Sequence, residues 1–205
     1  ATVRVGLWGS AGPGHLGRLG ALLDRGVFGI TAIGTGVGVD GAPTLDRDEL
    51  AAAAEEVAGH GGLFAVDVVP DDLPALLDVT RRTGGRLHVR NVADAELLPL
   101  LRDARAEGLA VTAATCPHML ALVSEVTHGG SVVARLDPPI RDAANRELLW
   151  GALGDGTIDA VASARLGLSV VWTEARRRGF DLADVARWMA GSPAEVVGLR
   201  DRGEI

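Results

Sequence analysis

Short apolar runs alternate with amphipathic stretches along the chain. Residues 3–8, VRVGLW, read as a buried strand, followed by GSAGPGHLG and a helix with Leu16, Leu19, Leu22 and Leu23 on one face. Gly26 stops that helix, and VFGITAIG begins a second strand. After a Gly-rich connection, Asp46 caps a long Ala-rich helix, with Glu49 three residues on as in a capping box. LFAVDVV at 63–69 is the third strand; Asp71 or Asp72 starts the next helix, with Leu73, Leu76 and Leu77 inward. RLHVRNV at 86–92 is the fourth strand, followed by a helix over 94–107, and LAVTAAT at 109–115 is the fifth. A short helix, PHMLALVSE, precedes SVVARL at 131–136, read as a short extra strand. DPPIRDAANRELLW then reads as a proline turn and an amphipathic helix, and TIDAVAS at 157–163 as the last strand. The C-terminal third turns helical, with SVVWTEARRRG, then DLADVARWMAG capped by Asp181, and a last turn begun by Ser192-Pro193.

Strand alternating with helix is the pattern of right-handed βαβ units on a parallel sheet. The near-continuous apolar strands fit a sheet covered on both faces. No linker or composition shift divides the 205 residues, so a single domain over 1–205 is expected, C-terminal helices 169–199 included. Aromatic residues are only 3% and Tyr is absent, so Ala, Val, Leu and Ile must build the core.

The net charge of −7 argues against nucleic acid or an anionic membrane as a partner. Arg176, Arg177 and Arg178 cluster at a helix end, where a solvated face complementing the dipole is the ordinary reading. No signal peptide is visible, and no apolar run approaches the ~20 residues a spanning helix needs. One cysteine, Cys116, excludes an internal disulfide and fits a cytoplasmic protein.

In a parallel α/β protein, chemistry gathers past the C-terminal ends of the strands. At the end of the last strand stand Ser163, Ala164 and Arg165, and Ala164 can do no chemistry. Several stretches together resemble the cyclic amidohydrolases, and among them most the allantoinases, with dihydroorotases and hydantoinases as cousins. The carriers are TCPHML at 115–120, DPPIRDAANRELLW at 137–150, DGTIDAVAS at 155–163, VVWTEARRRG at 170–179 and DLADVARWM at 181–189. GVFGITAIGTGVGVD at 26–40 and PGHLGRL at 13–19 fit as well. The resemblance implies a parallel βα barrel of the TIM type, reduced to about six or seven strands because the first two βα units have no counterpart. It also implies a site for two metal ions at the C-terminal strand ends, and there the chain departs. The family's bridging carbamylated lysine falls at Thr31. Its strand-end histidines fall at Asp67 and Asn91, its metal-binding aspartate at Ala164 and the neighbouring histidine at Arg165. The segment after VDVV and the loop following the final strand are also shortened by this alignment.

A divalent site needs several nitrogen or oxygen ligands converging at ~2.0–2.2 Å. Two weak oxygen donors at Asp67 and Asn91 do not supply that, so no metal, no cofactor and no metal-dependent ring hydrolysis are expected. The leading expectation is a catalytically silent, metal-free pseudoenzyme serving as a binding or interaction module. The alternative is a repurposed, metal-independent enzyme for a small polar or anionic substrate, using Asp67, His88 or Cys116. A trimmed or engineered fragment is the third reading.

Thr31, Asp67, Asn91 and Arg165, with His88 nearby, are the weak ligand-binding candidates. They form either a pocket for a small anion or a salt bridge of Arg165 with Asp67, and the salt bridge is preferred. An incomplete barrel leaves an open parallel edge, so a homodimer or a C-terminal helix is expected to cover it.

Gly12 to Gly17 matches G-x-G-x-x-G between strand and helix, but Pro13 and the missing acidic residue after the second strand speak against a dinucleotide. Cys116 and His118 are read as a packed thiol and a helix-capping imidazole. His15, His60 and His128 lie in Gly-rich turns and are expected to be exposed.

Overall fold

The computed structural model describes residues 5–37, 41–126, 138–164, 166–199 and 201. Six strands follow one another in chain order in one α/β sheet. The chain forms two compact units, the first from 1–89 and 103–111, the second from 90–102 and 112–205. The extra strand expected at 131–136 lies outside the described residues.

In the first unit, β1 (Gly9–Ser10), β2 (Ile30–Ile33), β3 (Leu63–Asp67) and β4 (Arg86–Val89) pair in parallel. Between them lie α1 (Gly20–Leu23), α2 (Arg47–Gly59) and α3 (Leu73–Thr83). All five residues of β3 are buried, as a strand covered on both faces must be. Its neighbours contribute Ile30, Ala32, Leu87 and Val89 to the core, and α2 and α3 add Leu50, Ala53, Val57, Leu73 and Leu76. The first strand is displaced from expectation: the ladder falls at Gly9–Ser10 rather than at 3–8, and Val5, Leu7 and Trp8 are exposed.

Asp46 caps α2 as expected, accepting from the Glu49 N–H at 2.9 Å while Glu49 accepts from the Asp46 N–H at 3.0 Å. Asp72 occupies the cap position of α3 but makes no side-chain cap bond, its carboxylate being held by Arg47 Nε at 2.8 Å. Gly84, with φ of 68°, closes α3 in the left-handed conformation that glycine adopts without strain.

The boundary between the units falls within α4 (Leu97–Ala106) and β5 (Val111–Thr115). The second unit continues with α5 (Pro117–Ala121), a 3-10 turn (Ser124–Val126), α6 (Ala143–Gly154) and β6 (Ala160–Val161). β5 and β6 are parallel, with Ala114 beside Ala160 and Thr115 beside Val161. α7 (Gly167–Arg177) and α8 (Leu182–Ala186) follow. Asp181 caps α8 in a capping box with Asp184. A π turn (Arg187–Gly191) then joins α8 directly to α9 (Ser192–Val196). Ser192-Pro193 therefore continues a helical run instead of opening a separate turn.

The motif-rich stretch before β6 is a structural clamp. Asp142 caps α6 by accepting from the Asn145 N–H at 2.8 Å. The Asn145 amide in turn donates to the Ala93 carbonyl and accepts from the Ala95 N–H, both at 2.8 Å. Arg141 pairs with Asp94 at 2.5 Å. Three neighbouring side chains thus fasten the start of α6 to the segment leading into α4. Trp150, 2% exposed, donates from Nε1 to the Leu120 carbonyl and packs against Phe180 and Trp188 at centroid separations of 5.9 and 6.1 Å.

Arg178 is not a solvated helix-end charge. Its guanidinium lies 4.8 Å from the Trp150 ring centroid and binds Glu147 at 2.6 and 2.8 Å and Glu174 at 2.9 Å. The Arg178 bonds to Glu147, with a further one from Arg146, hold its carboxyl down at a pKa of about 2.

Candidate functional site

In the first unit the strand register assigns the candidates to faces. Thr31 stands beside Ala65, His88 also stands beside Ala65, and Asp67 lies two residues further along β3, beside Ile33. Side chains alternate along a strand, so Thr31, Asp67 and His88 share one face of this unit's sheet. Asp67 is 4% and His88 8% exposed, against the apolar Phe64 and Val66 on the other face. The Thr31 hydroxyl donates to the Gly9 carbonyl at 3.1 Å, binding the side chain to the neighbouring strand.

Asn91 belongs to the second unit and follows β4 with φ of 46°. That left-handed conformation is one Asn tolerates better than most residues, which gives the position a backbone reason for its side chain. Arg165, and with it the expected salt bridge to Asp67, lies outside the described residues. Ala164 offers only a methyl group. The residue after Arg165, Leu166, has φ of 60°, a strained value for a leucine, at the start of α7.

Among the described residues, Thr31 and Ala164 do not fit as ligands of a binuclear metal centre. Thr31 offers a hydroxyl already committed to a backbone carbonyl, and Ala164 has no donor. Among the described residues, no three His, Cys, Asp or Glu side chains gather where they could hold a metal ion.

Past the end of β5, Cys116 is half-buried, and its Sγ lies 3.9 Å from His118 Nδ1. His118 does not cap α5; its ring turns toward the sulfur instead. β6 lies alongside with small residues: the Ala162 N–H donates to the Thr115 carbonyl, and Ser163 and Ala164 follow. The pair brings a thiol toward an imidazole, although 3.9 Å is long for proton transfer.

A hollow of about 360 Å³ opens in the second unit between the turn from α6 to β6 and the π turn. Asp155, Asp159, Arg187 and Ser192 are among its lining residues. Asp155 binds Thr157 and Arg102, Asp159 accepts from the Ala113 N–H at 2.7 Å, and Arg187 pairs with Asp184. Its charged groups already serve the fold, and it lies at the entry of β6, away from the strand end where chemistry would gather.

The Gly-rich loop has an internal occupant that the sequence reading missed. The backbone N–H groups of Gly17, Leu19 and Gly20 donate to the Glu56 carboxylate at 2.6, 2.7 and 3.4 Å. A carboxylate from α2 thus fills the amide cradle that a phosphate would need. The signal was faint: one glutamate on the Ala-rich helix, far away in sequence. His15 and His60 are exposed as expected, and His128 lies outside the described residues.

No protein-family model matches the chain. An allantoinase of Streptomyces avermitilis is 37% identical over 256 aligned positions, covering all of this chain and 58% of the relative. A dihydroorotase of Enterococcus faecalis is 30% identical, covering 87% of this chain and 53% of the relative. The chain therefore spans little more than half the length of these relatives. The first alignment is longer than the 205 residues it matches, so that allantoinase carries internal residues without counterpart here. Among solved structures, the L-hydantoinase of Arthrobacter aurescens superposes with a TM-score of 0.87 at 19% identity, over 97% of this chain and 57% of its own. The inactive dihydroorotase-like domain of the Chaetomium thermophilum CAD-like multifunctional protein gives 0.72 at 17% identity, over 96% and 60%. No helix among the described residues is long and apolar enough to cross a membrane.

Proposed function

Since the chain is a homologue of allantoinases and dihydroorotases on the fold of the hydantoinases, we propose that it is a hydrolytically silent member of that lineage, retained as a binding or interaction module. The observation that carries this reading is Thr31. It stands where the family resemblance puts the bridging lysine, and its hydroxyl is bonded to the Gly9 carbonyl. Ala164, at the position of the metal-binding aspartate, supports the same reading. Both positions are internal to the chain. One structural neighbour of the same fold is itself described as inactive.

Ring hydrolysis by this lineage's chemistry would need a metal-activated water, and the chain supplies too few donors to hold the ion. What it keeps is a polar face bearing Thr31, Asp67 and His88, the last two buried, suited to a small polar molecule rather than to catalysis. The test is an assay of the purified protein with allantoin, dihydroorotate and hydantoin, with and without added zinc. No ring opening above the uncatalysed rate is expected, and turnover of any of the three with zinc would refute the reading.

A second reading is favoured by the approach of Cys116 to His118. If the strand end had been repurposed for metal-free chemistry, the thiol would be the nucleophile and the imidazole its base. Faster alkylation of Cys116 in the wild-type protein than in His118→Gln at neutral pH would favour that reading. Equal rates would leave the silent one standing.

A further inference from the structure

The hollow of about 360 Å³ in the second unit has the size of a small-molecule site, and groups of both charges line it. Asp155 and Asp159 bring carboxylates from the turn between α6 and β6. Arg187 brings a guanidinium from the π turn, and Ser192 a hydroxyl from the start of α9. Opposite charges sharing a hollow attract one another and readily pair. Among the described residues these do not: Arg187 pairs with Asp184 at 2.9 Å, and Asp155 with Arg102 at 2.9 Å. Those bonds use only part of what the groups can offer. Arg187 gives Asp184 one of its five N–H donors. Asp155 accepts three bonds, two from Thr157 and one from Arg102, where a carboxylate can take about four. Asp159 takes the Ala113 N–H on Oδ2.

The wall that carries Arg187 is held in place before any ligand arrives. π turns are rare within helical runs and frequent at functional sites. In this one the Ser192 N–H reaches back five residues to the Arg187 carbonyl. Trp188, 1% exposed, anchors the turn by packing on Phe180 and Trp150 at centroid separations of 5.0 and 6.1 Å. The facing carboxylates are tied down by Thr157, Arg102 and the Ala113 backbone. Binding groups fixed in advance lose little freedom when a ligand docks. A cation alone would meet Arg187, and an anion alone would meet Asp155 and Asp159. A compact molecule carrying both charges meets a partner for each.

We propose that this hollow binds a small zwitterion of the α-amino acid class, its carboxylate held by Arg187 and Ser192 and its ammonium group by Asp159 with Asp155. The site lies at the opposite end of β6 from Ala164 and is independent of whether the protein hydrolyses anything.

Titration calorimetry with L-alanine as the probe tests it, beside acetate and methylammonium, which carry one of the two charges each. Arg187→Gln and Asp159→Asn, checked for native circular dichroism, should each weaken L-alanine binding by about tenfold or more. Either single-charge probe should bind the wild type more weakly by a similar factor. Arg176→Gln removes the same charge on α7, outside the lining of the hollow, and should bind like the wild type. Should Arg187→Gln lose its fold, Ser192→Ala gives the reading instead through a weaker L-alanine affinity. No heat from the wild type at millimolar L-alanine would overturn the proposal. Acetate binding as tightly as L-alanine would overturn it too, as would unchanged affinity in the folded hollow variants.

Discussion

Thr31 and Asn91 each answer to the backbone around them. The hydroxyl of Thr31 binds a neighbouring strand, and Asn91 accepts a left-handed conformation that few other residues would. The resemblance singled out these positions, but their structural duties were not legible, because a hydrogen bond to a carbonyl 22 residues away leaves no local pattern. Glu56 makes the same point more sharply. The loop from Gly12 to Gly17 has the spacing of a phosphate cradle, yet its last amide and those of Leu19 and Gly20 bind a carboxylate from another helix. Charge-assisted bonds to part-buried amides contribute about 1.5–3 kcal/mol, and losing the acceptor strands the donors. Glu56→Ala is therefore expected to lower unfolding stability by about 2–3 kcal/mol in a urea titration. A change within ~0.5 kcal/mol, the range of an ordinary surface substitution, would show that the cradle needs no internal anion.

At the scale of elements, apolar periodicity located β2 to β6 and the helices between them, though with generous ends. It misplaced β1, because VRVGLW is apolar enough for a core strand while Val5, Leu7 and Trp8 in fact remain exposed. It also broke the C-terminal helix at Ser192-Pro193, where the π turn carries the helical run through. The arginine run shows what composition conceals: Arg176 lies over the ring of Trp172, while Arg178 joins the end of α7 to Glu147 on α6 and covers Trp150. This clamp should be visible in the pH dependence of stability. Glu147 is held at a pKa of about 2 in the folded protein against 4.5 as the unperturbed value. A depressed carboxyl stabilises the fold above the unfolded value and loses that contribution as pH falls through the folded one. Stability should therefore drop between about pH 4.5 and 2, and the drop should be smaller in Glu147→Gln. With Glu147 about half exposed, solvent screening keeps the effect modest. Identical acid profiles for the two proteins would remove the clamp from the account.

For the whole molecule, the sequence resemblance carries the lineage and the structural resemblance the fold. Sequence identity reaches 37% with an allantoinase, and the backbone follows a hydantoinase with a TM-score of 0.87, over little more than half the length of either. The fold was legible because it is written in repeated strand–helix periods and in clamp residues such as Asp142, Asn145 and Trp150, which serve packing. Present function was less legible, since it depends on a few strand-end side chains, whose roles no local pattern spells out. The claim at the centre is that Thr31 and Ala164 leave too few donors for a catalytic ion. It is tested most directly by metal analysis of protein purified from zinc-supplemented culture without chelator. The account predicts metal far below one equivalent per chain; one or two tightly held equivalents would contradict it.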